Sequence, residues 1–154
     1  GSAGLPPMEF AIKSGAAFGL DMHPIEIRSL DDLDARTASS ELKELDAFLV
    51  GTDGFFDSVP ERIVRPLNRL RRPAIFPDRP YVEIGGLAAY GVSYNDVFMR
   101  LATMVDRVLR GESPSTMPFE RPERFDLTLN QRTATEAGLA FPPLILAQAR
   151  EIIE

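Results

Sequence analysis

Apolar residues fall either in short runs or at helical spacing, and the two kinds of segment alternate along most of the chain. Residues 7–20 (PMEFAIKSGAAFGL) set Phe10, Ala11, Ala17 and Phe18 at rough helical spacing, with Gly19 as the stop. Residues 23–28 (HPIEIR) alternate Ile25 and Ile27 against Glu26 and Arg28, which predicts a half-exposed strand. A weakly apolar helix over 29–45 follows, with Ser29 as its N-cap, aspartates in the first turn, and Leu30, Leu33, Leu42 and Leu45 along it. The continuous apolar run 47–51 (AFLVG) predicts the central, most buried strand of a parallel sheet. Beyond a loop over 52–60, Ile63, Val64, Leu67 and Leu70 stripe a helix over 61–71, capped by Asp57 or Ser58.

The chain is organised around residues 72–98. A short buried strand (74–76), a turn at Pro77-Asp78, a short helix (80–84), Gly85-Gly86 and a second buried strand (87–90) make a βαβ unit. A polar elbow over 91–93 leads into a long helix over 96–109, striped by Val97, Leu101, Met104, Val105 and Val108 and ended by Gly111. After a proline-rich connector (114–122), residues 124–129 (RFDLTL) alternate as a strand. The turn from Asn130 to Thr133 starts a short helix ending at Gly138, and a last helix spans 144–153. The alternation of β and α predicts an α/β fold, an open and mostly parallel sheet with helices on both faces.

Composition narrows the function. The chain of 154 residues fits one domain, and 44% hydrophobic with 26% charged residues is ordinary for a globular protein. A net charge of −6 offers no basic footprint for nucleic acid or an anionic membrane. With no cysteine there is no disulfide framework, thiolate chemistry or cysteine-ligated zinc. No apolar run reaches the ~18 residues of a membrane span, and no leader opens the sequence. Gly1 to Gly4 read as the remnant of a cleaved tag.

No phosphate loop, dinucleotide glycine fingerprint or Gly-x-Ser-x-Gly elbow is present. The lone His23 reads as a surface residue, and Asp31, Asp32 and Asp34 as helix-start charges. Nothing pairs a nucleophile with a base, so no enzyme, cofactor or metal is expected.

Candidate chemistry lies at the strand ends, where ligands of parallel sheets gather. Residues 76–79 (FPDR) and 90–94 (YGVSY) are two such ends, and Thr52-Asp53-Gly54-Phe55-Phe56 is a third. Asp53 offers an acceptor to an amine or hydroxyl, or is turn chemistry with Gly54. Phe55 or Phe56 stacks on a planar ligand while the other joins the core. Phe76 completes the wall. Tyr90 either packs inward or shows its hydroxyl to a cleft, and Ser93 reads equally as the N-cap of the long helix. The expected ligand-binding set is therefore Asp53, Phe55, Phe56, Phe76, Tyr90 and Ser93. Arg79 and Glu83 read as a simple (i, i+4) pair.

Several stretches also form a recognisable series: 48–56 with its aromatic loop, Pro73-Ala74-Ile75-Phe76, and Tyr81-Val82-Glu83-Ile84-Gly85-Gly86-Leu87 running into Ala89-Tyr90-Gly91. Arg107-Val108-Leu109-Arg110-Gly111-Glu112, the connector 114–118, residues 125–130, Thr133-Ala134, Ala137-Gly138-Leu139 and Pro142-Pro143-Leu144 continue it. In their order and spacing these resemble the substrate-binding proteins of ABC transporters, in the branch with a type I periplasmic-binding-protein fold. The resemblance runs from about residue 25 to the end.

It implies a Rossmann- or flavodoxin-like lobe that binds a small, amino-acid-like or aromatic solute outside the cytoplasm and delivers it to a membrane permease. It places the six candidates on the cleft wall of the second lobe and makes 91–94 a hinge. Residues 5–94 become the binding lobe and 95–154 a crossover tail packing on the same or a partner lobe. The family's first lobe and leader are not in this sequence, so the resemblance implies a fragment, a cut lobe or a natural short relative. Half a cleft is expected to bind weakly. The helix over 96–109 is then expected to expose its apolar stripe and drive a dimer or higher oligomer. The alternative is a stand-alone α/β sensor or interaction module.

Overall fold

Local signals set most element boundaries in the computed structural model, which describes residues 7–154. The expected tag remnant lies outside the described residues. The chain forms two compact units, residues 1–34 and 35–154.

In the first unit, α1 (Pro7–Ala17) ends as the sequence predicts, with Gly19 in the left-handed region at φ +75°. Residues 23–28 form no strand. Ile25 and Ile27 are half-buried while Glu26 and Arg28 are exposed, so the alternation survives in burial without a ladder. A strand needs a neighbour's backbone, and alternation alone does not supply one. α2 (Leu30–Ala38) begins in a reciprocal cap: Ser29 Oγ accepts from Asp32 N at 3.1 Å, and Asp32 Oδ2 accepts from Arg28 N at 3.1 Å.

α2 stops at Ala38, short of the predicted residue 45. Ser39 Oγ donates back to the Arg36 carbonyl at 2.8 Å, a local bond that competes with helix continuation. A 3-10 turn, Glu41–Glu44, follows.

The sheet of this unit holds β1 (Phe48–Leu49), β2 (Ala74–Phe76), β3 (Ala88–Val92), β4 (Phe125–Asn130) and β5 (Glu151–Ile153), in the order β1-β2-β3-β4-β5. β1–β2, β2–β3 and β4–β5 are parallel, and β3–β4 is antiparallel over five residue pairs, from Ala88↔Leu129 to Val92↔Phe125. Two expectations change here. The apolar run at 47–51 is an edge strand rather than the central one, with Leu49 62% exposed. The predicted last helix stops early, as α8 (Pro143–Gln148), because residues 151–153 take the free edge of β4, guided by Arg150 N donating to the Leu127 carbonyl at 2.8 Å.

The loop at 52–60 contains a short helix, α3 (Gly54–Ser58), ahead of α4 (Pro60–Arg69). Neither Asp57 nor Ser58 caps α4; Val59 sits at that position with no side-chain bond. The stripe is as predicted, with Ile63, Val64 and Leu67 buried. α5 (Arg79–Glu83) completes the βαβ unit.

Strands added one after another by right-handed crossovers leave their connecting helices on a single face. α4 and α5 share that face, joined by Asn68 Nδ2 donating to the Gly85 carbonyl at 2.8 Å. On the other face, packing is built over β3 and β4. There Ala88 and Leu129 pack with Leu87 and Ala134, against Leu139, Phe141, Ile145 and Leu146 from α7 (Gln131–Ala137), α8 and the turns beside them. The fold is α/β, open and mostly parallel, with helices on both faces.

Asn130 closes the centre. Its Oδ1 accepts from Thr133 N at 2.8 Å and caps α7, while its Nδ2 donates to the Val82 carbonyl at 3.2 Å. α6 (Tyr94–Leu109) buries none of its residues, and Leu101, Val105, Val108 and Leu109 are exposed. Arg100 ties it to the following connector through Glu123 at 2.7 Å.

Candidate functional site

Parallel strands bring their carboxyl ends to one edge of the sheet. β1 runs out toward Asp53, β2 into Pro77-Asp78, and β3 into Ser93-Tyr94. Three short polar segments therefore meet at one edge.

Asp53 takes the N-cap of α3, its Oδ1 accepting from Phe55 N at 2.8 Å. That cap turns α3 so that Asp57 Oδ1 accepts from the Tyr81 hydroxyl at 2.8 Å. Tyr81 is buried, and its ring stacks on Phe76 with centroids 5.3 Å apart and planes 14° apart. Asp78 accepts a hydrogen bond from Tyr94.

The electrostatics agree with this convergence. Burial and then the charge of Asp57 raise the Asp78 carboxyl above its ordinary range, while the Tyr94 hydrogen bond pulls the other way. The Asp78 charge, followed by burial, raises the Tyr94 hydroxyl. Burial, the bond to Asp57, and the charges of Asp57, Asp78 and Asp53 all raise the Tyr81 hydroxyl. Three carboxylates thus act on one phenol, and none has an arginine or lysine partner among the described residues. The edge is negative and lined with phenol hydroxyls.

Gly91 fixes the approach of β3 to this edge. A Cβ there would lie 2.0 Å from the Pro77 carbonyl oxygen and 3.1 Å from Asp78 Oδ1, so only glycine lets the backbones meet. The residue lies inside β3, since the strand runs through the predicted elbow to Val92.

The six sequence candidates are distributed unevenly. Asp53 stands exposed at the edge, with Phe55 and Phe56 half-buried beside it on α3, ring centroids 5.8 Å apart. Phe76 is wholly enclosed beneath Tyr81 and presents no face to solvent. Phe76 is in register with Ala89, so the next residue, Tyr90, stands on the opposite face of the sheet, where it stacks on Phe125 at 5.6 Å. Ser93 is buried at the N-cap of α6, without a side-chain cap bond.

Asp57 and Tyr81 were not legible as site residues. Each sits one turn inside a short helix, and only the fold brings the two together across 24 residues. Asp78 and Tyr94 follow strand ends directly, which is the signal that singled out Asp53. No group of three His, Cys, Asp or Glu among the described residues is placed to hold a metal ion. No helix among them is long and apolar enough to cross a membrane.

The profile of a family described as ABC transporter substrate binding protein matches residues 2–153. The chain belongs to that family. Its substrate-binding fold is shared by several solved structures. A conserved domain protein from Vibrio cholerae is 23% identical with a TM-score of 0.81, over 94% of this chain and 49% of that one. An ABC domain from Streptococcus pneumoniae, solved in complex with L-Trp, is 21% identical with a TM-score of 0.80, over 94% of this chain and 50% of that one. A substrate-binding protein with adhesive properties from Clostridium difficile, in its ligand-free open form, gives 20% and 0.71, over 94% and 48%. The chain spans about half the length of these neighbours. Comparison with curated proteins gives no match.

Proposed function

We propose that this chain is the solute-binding component, or one lobe of it, of an ABC uptake system, working outside the cytoplasm beside a membrane permease. It holds a small amine-bearing organic molecule at the carboxyl edge of the parallel sheet and carries out no catalytic step. Strands β1 to β3 supply the binding edge, and residues 95–154 form the tail whose β4 and β5 complete the same sheet. The observation that carries the reading is the negative edge of Asp53, Asp57 and Asp78 with Tyr81 and Tyr94, which has no cation paired with it among the described residues. An ammonium group completes that balance, and Phe55 and Phe56 supply an apolar side for the rest of the ligand. Ser93 borders the same edge, whereas Phe76 acts beneath it by holding Tyr81. Tyr90 belongs to the proposed set only if the whole protein folds a second surface onto its face.

The L-Trp complex of the Streptococcus neighbour makes aromatic amino acids the first ligands to try. A thermal-shift screen of amino acids, aromatic acids without an amine, and small sugars tests the reading. A ligand at ~100 times its dissociation constant adds ~2.7 kcal/mol, raising the melting point by about 5 °C or more in a chain of this size. Asp53→Ala and Asp78→Asn should remove that shift. A screen in which amines give no shift, or one that survives both substitutions, refutes the assignment.

A further inference from the structure

The opposite edge of the sheet carries a separate polar cavity of about 160 Å³. Asn68, Arg71, Arg72, Leu87, Thr133 and Glu136 line it, where α4 ends and β2 and β3 begin. Its floor is fixed. Asn68 Nδ2 and Thr133 Oγ1 both donate to the Gly85 carbonyl, at 2.8 and 2.9 Å. Those two bonds leave Asn68 Oδ1 and the Thr133 oxygen lone pairs as acceptors inside the cavity.

The rim is charged on both sides and internally unpaired. Arg71, Arg72 and Glu136 are exposed, and none has an ion-pair partner among the described residues. Arg71 is also backbone-strained. It is the only non-glycine residue with positive φ, at 53°, among the described residues. α1, α6 and α7 meet the same need just past their ends with Gly19, Gly111 and Gly138. α4 alone uses an arginine there, although glycine adopts that conformation more readily. An unfavoured residue held at a cavity rim is a reason to look for a role of its side chain.

We propose that this cavity is a second binding site, for the zwitterionic head group of an α-amino acid. The Arg71 and Arg72 guanidiniums take the carboxylate, and Glu136 with Thr133 and Asn68 takes the ammonium. About 160 Å³ admits the five non-hydrogen atoms of that head group, and the charged rim reads the head group rather than the amino acid's own side chain. It is distinct from the acidic edge and does not depend on the reading of that edge.

An NMR titration of the whole chain with glycine tests this. Saturable shifts are expected at the amides of Arg71, Arg72, Thr133 and Glu136. Glycinamide and N-acetylglycine, which each lack one charge, should bind at least tenfold more weakly. Arg71→Gly should abolish the shifts while keeping or raising the melting temperature, because glycine relieves the backbone. Glu136→Gln should weaken glycine while leaving acetate unchanged, and Asp53→Ala should leave all of it intact. The proposal is overturned if glycine gives no saturable shifts there, if shifts appear only near Asp53 and Tyr94, or if Arg71→Gly binds as before. In that last case the arginine serves only the helix end.

Discussion

Replacing Asn130 by alanine tests how the centre of the molecule is held. The side chain is 1% exposed, so water cannot take over its bonds. Loss of the α7 cap, in which Oδ1 meets Thr133 N at 2.8 Å, costs about 1 kcal/mol for a typical Asn→Ala change. Loss of the donation from Nδ2 to the Val82 carbonyl removes a net hydrogen bond of about 1 kcal/mol and leaves a buried acceptor short of its partner. Together these give roughly 2–3 kcal/mol, or a melting point lower by about 5–10 °C at this chain length. Urea titration followed by far-UV circular dichroism measures it, as a shift in midpoint at constant slope. Asn130→Ser keeps a capping oxygen but loses the reach to α5, so it should lie about halfway. The reasoning is refuted if Asn130→Ala comes within about 0.5 kcal/mol of the parent, or if the serine variant is equally damaged.

Four further outcomes are expected. Gly91→Ala should push the Pro77-Asp78 turn away, because its new Cβ would stand 2.0 Å from a backbone oxygen; stability falls by at least ~1 kcal/mol and amine binding falls with it, by calorimetry. Amine affinity should depend on pH through Asp78. Its folded carboxyl is raised above 3.8, so as pH falls toward that range Asp78 is protonated before an ordinary aspartate and the affinity drops, as calorimetry across that pH range would show. Glu151 runs the other way. Arg79 holds its folded pKa low, so the stabilisation is present above the ordinary range near 4.5, is lost as pH falls through the lowered value, and shrinks in salt because the pair is half-exposed. Finally, the apolar flank of α6 lines a groove of about 550 Å³ with Met117 and Phe119. Leu109→Lys with Phe119→Ser should convert any self-association of the chain to monomer in light scattering, and a parent that is already monomeric refutes that expectation.

The elements that could be read from sequence were those specified within a few residues. The βαβ unit announced itself by two apolar triplets around a short amphipathic turn. α7 did so by Asn130 at one end and Gly138, with φ +72°, at the other. What could not be read depended on partners distant in sequence. Residues 47–51 carry an apolar run that suits a central strand, yet crossover order put them at the edge. Residues 144–153 satisfy a helical spacing, yet their last three join β4 because its edge was open. Residues 23–28 have the alternation of a strand and no ladder. The acidic edge was partly legible, through Asp53 and the strand ends. Asp57 and Tyr81 became members only when α3 formed inside a segment that reads as a loop.

The strictly consecutive strand order has a consequence for how the chain reaches this state. Each strand after the first pairs with the one synthesised immediately before it, so the sheet lengthens at a single growing edge. A chain that folds from its N-terminal side meets its template already laid down at every step, and the separation between pairing partners stays short for a largely parallel sheet. The five-pair β3–β4 ladder then acts as the hinge point of assembly, since it is the longest pairing and the one place where the strand direction reverses. Slowing of folding should therefore concentrate in substitutions at Ala88, Ala89 and Leu129, while changes in β1 or β5 alter chiefly the rate of unfolding.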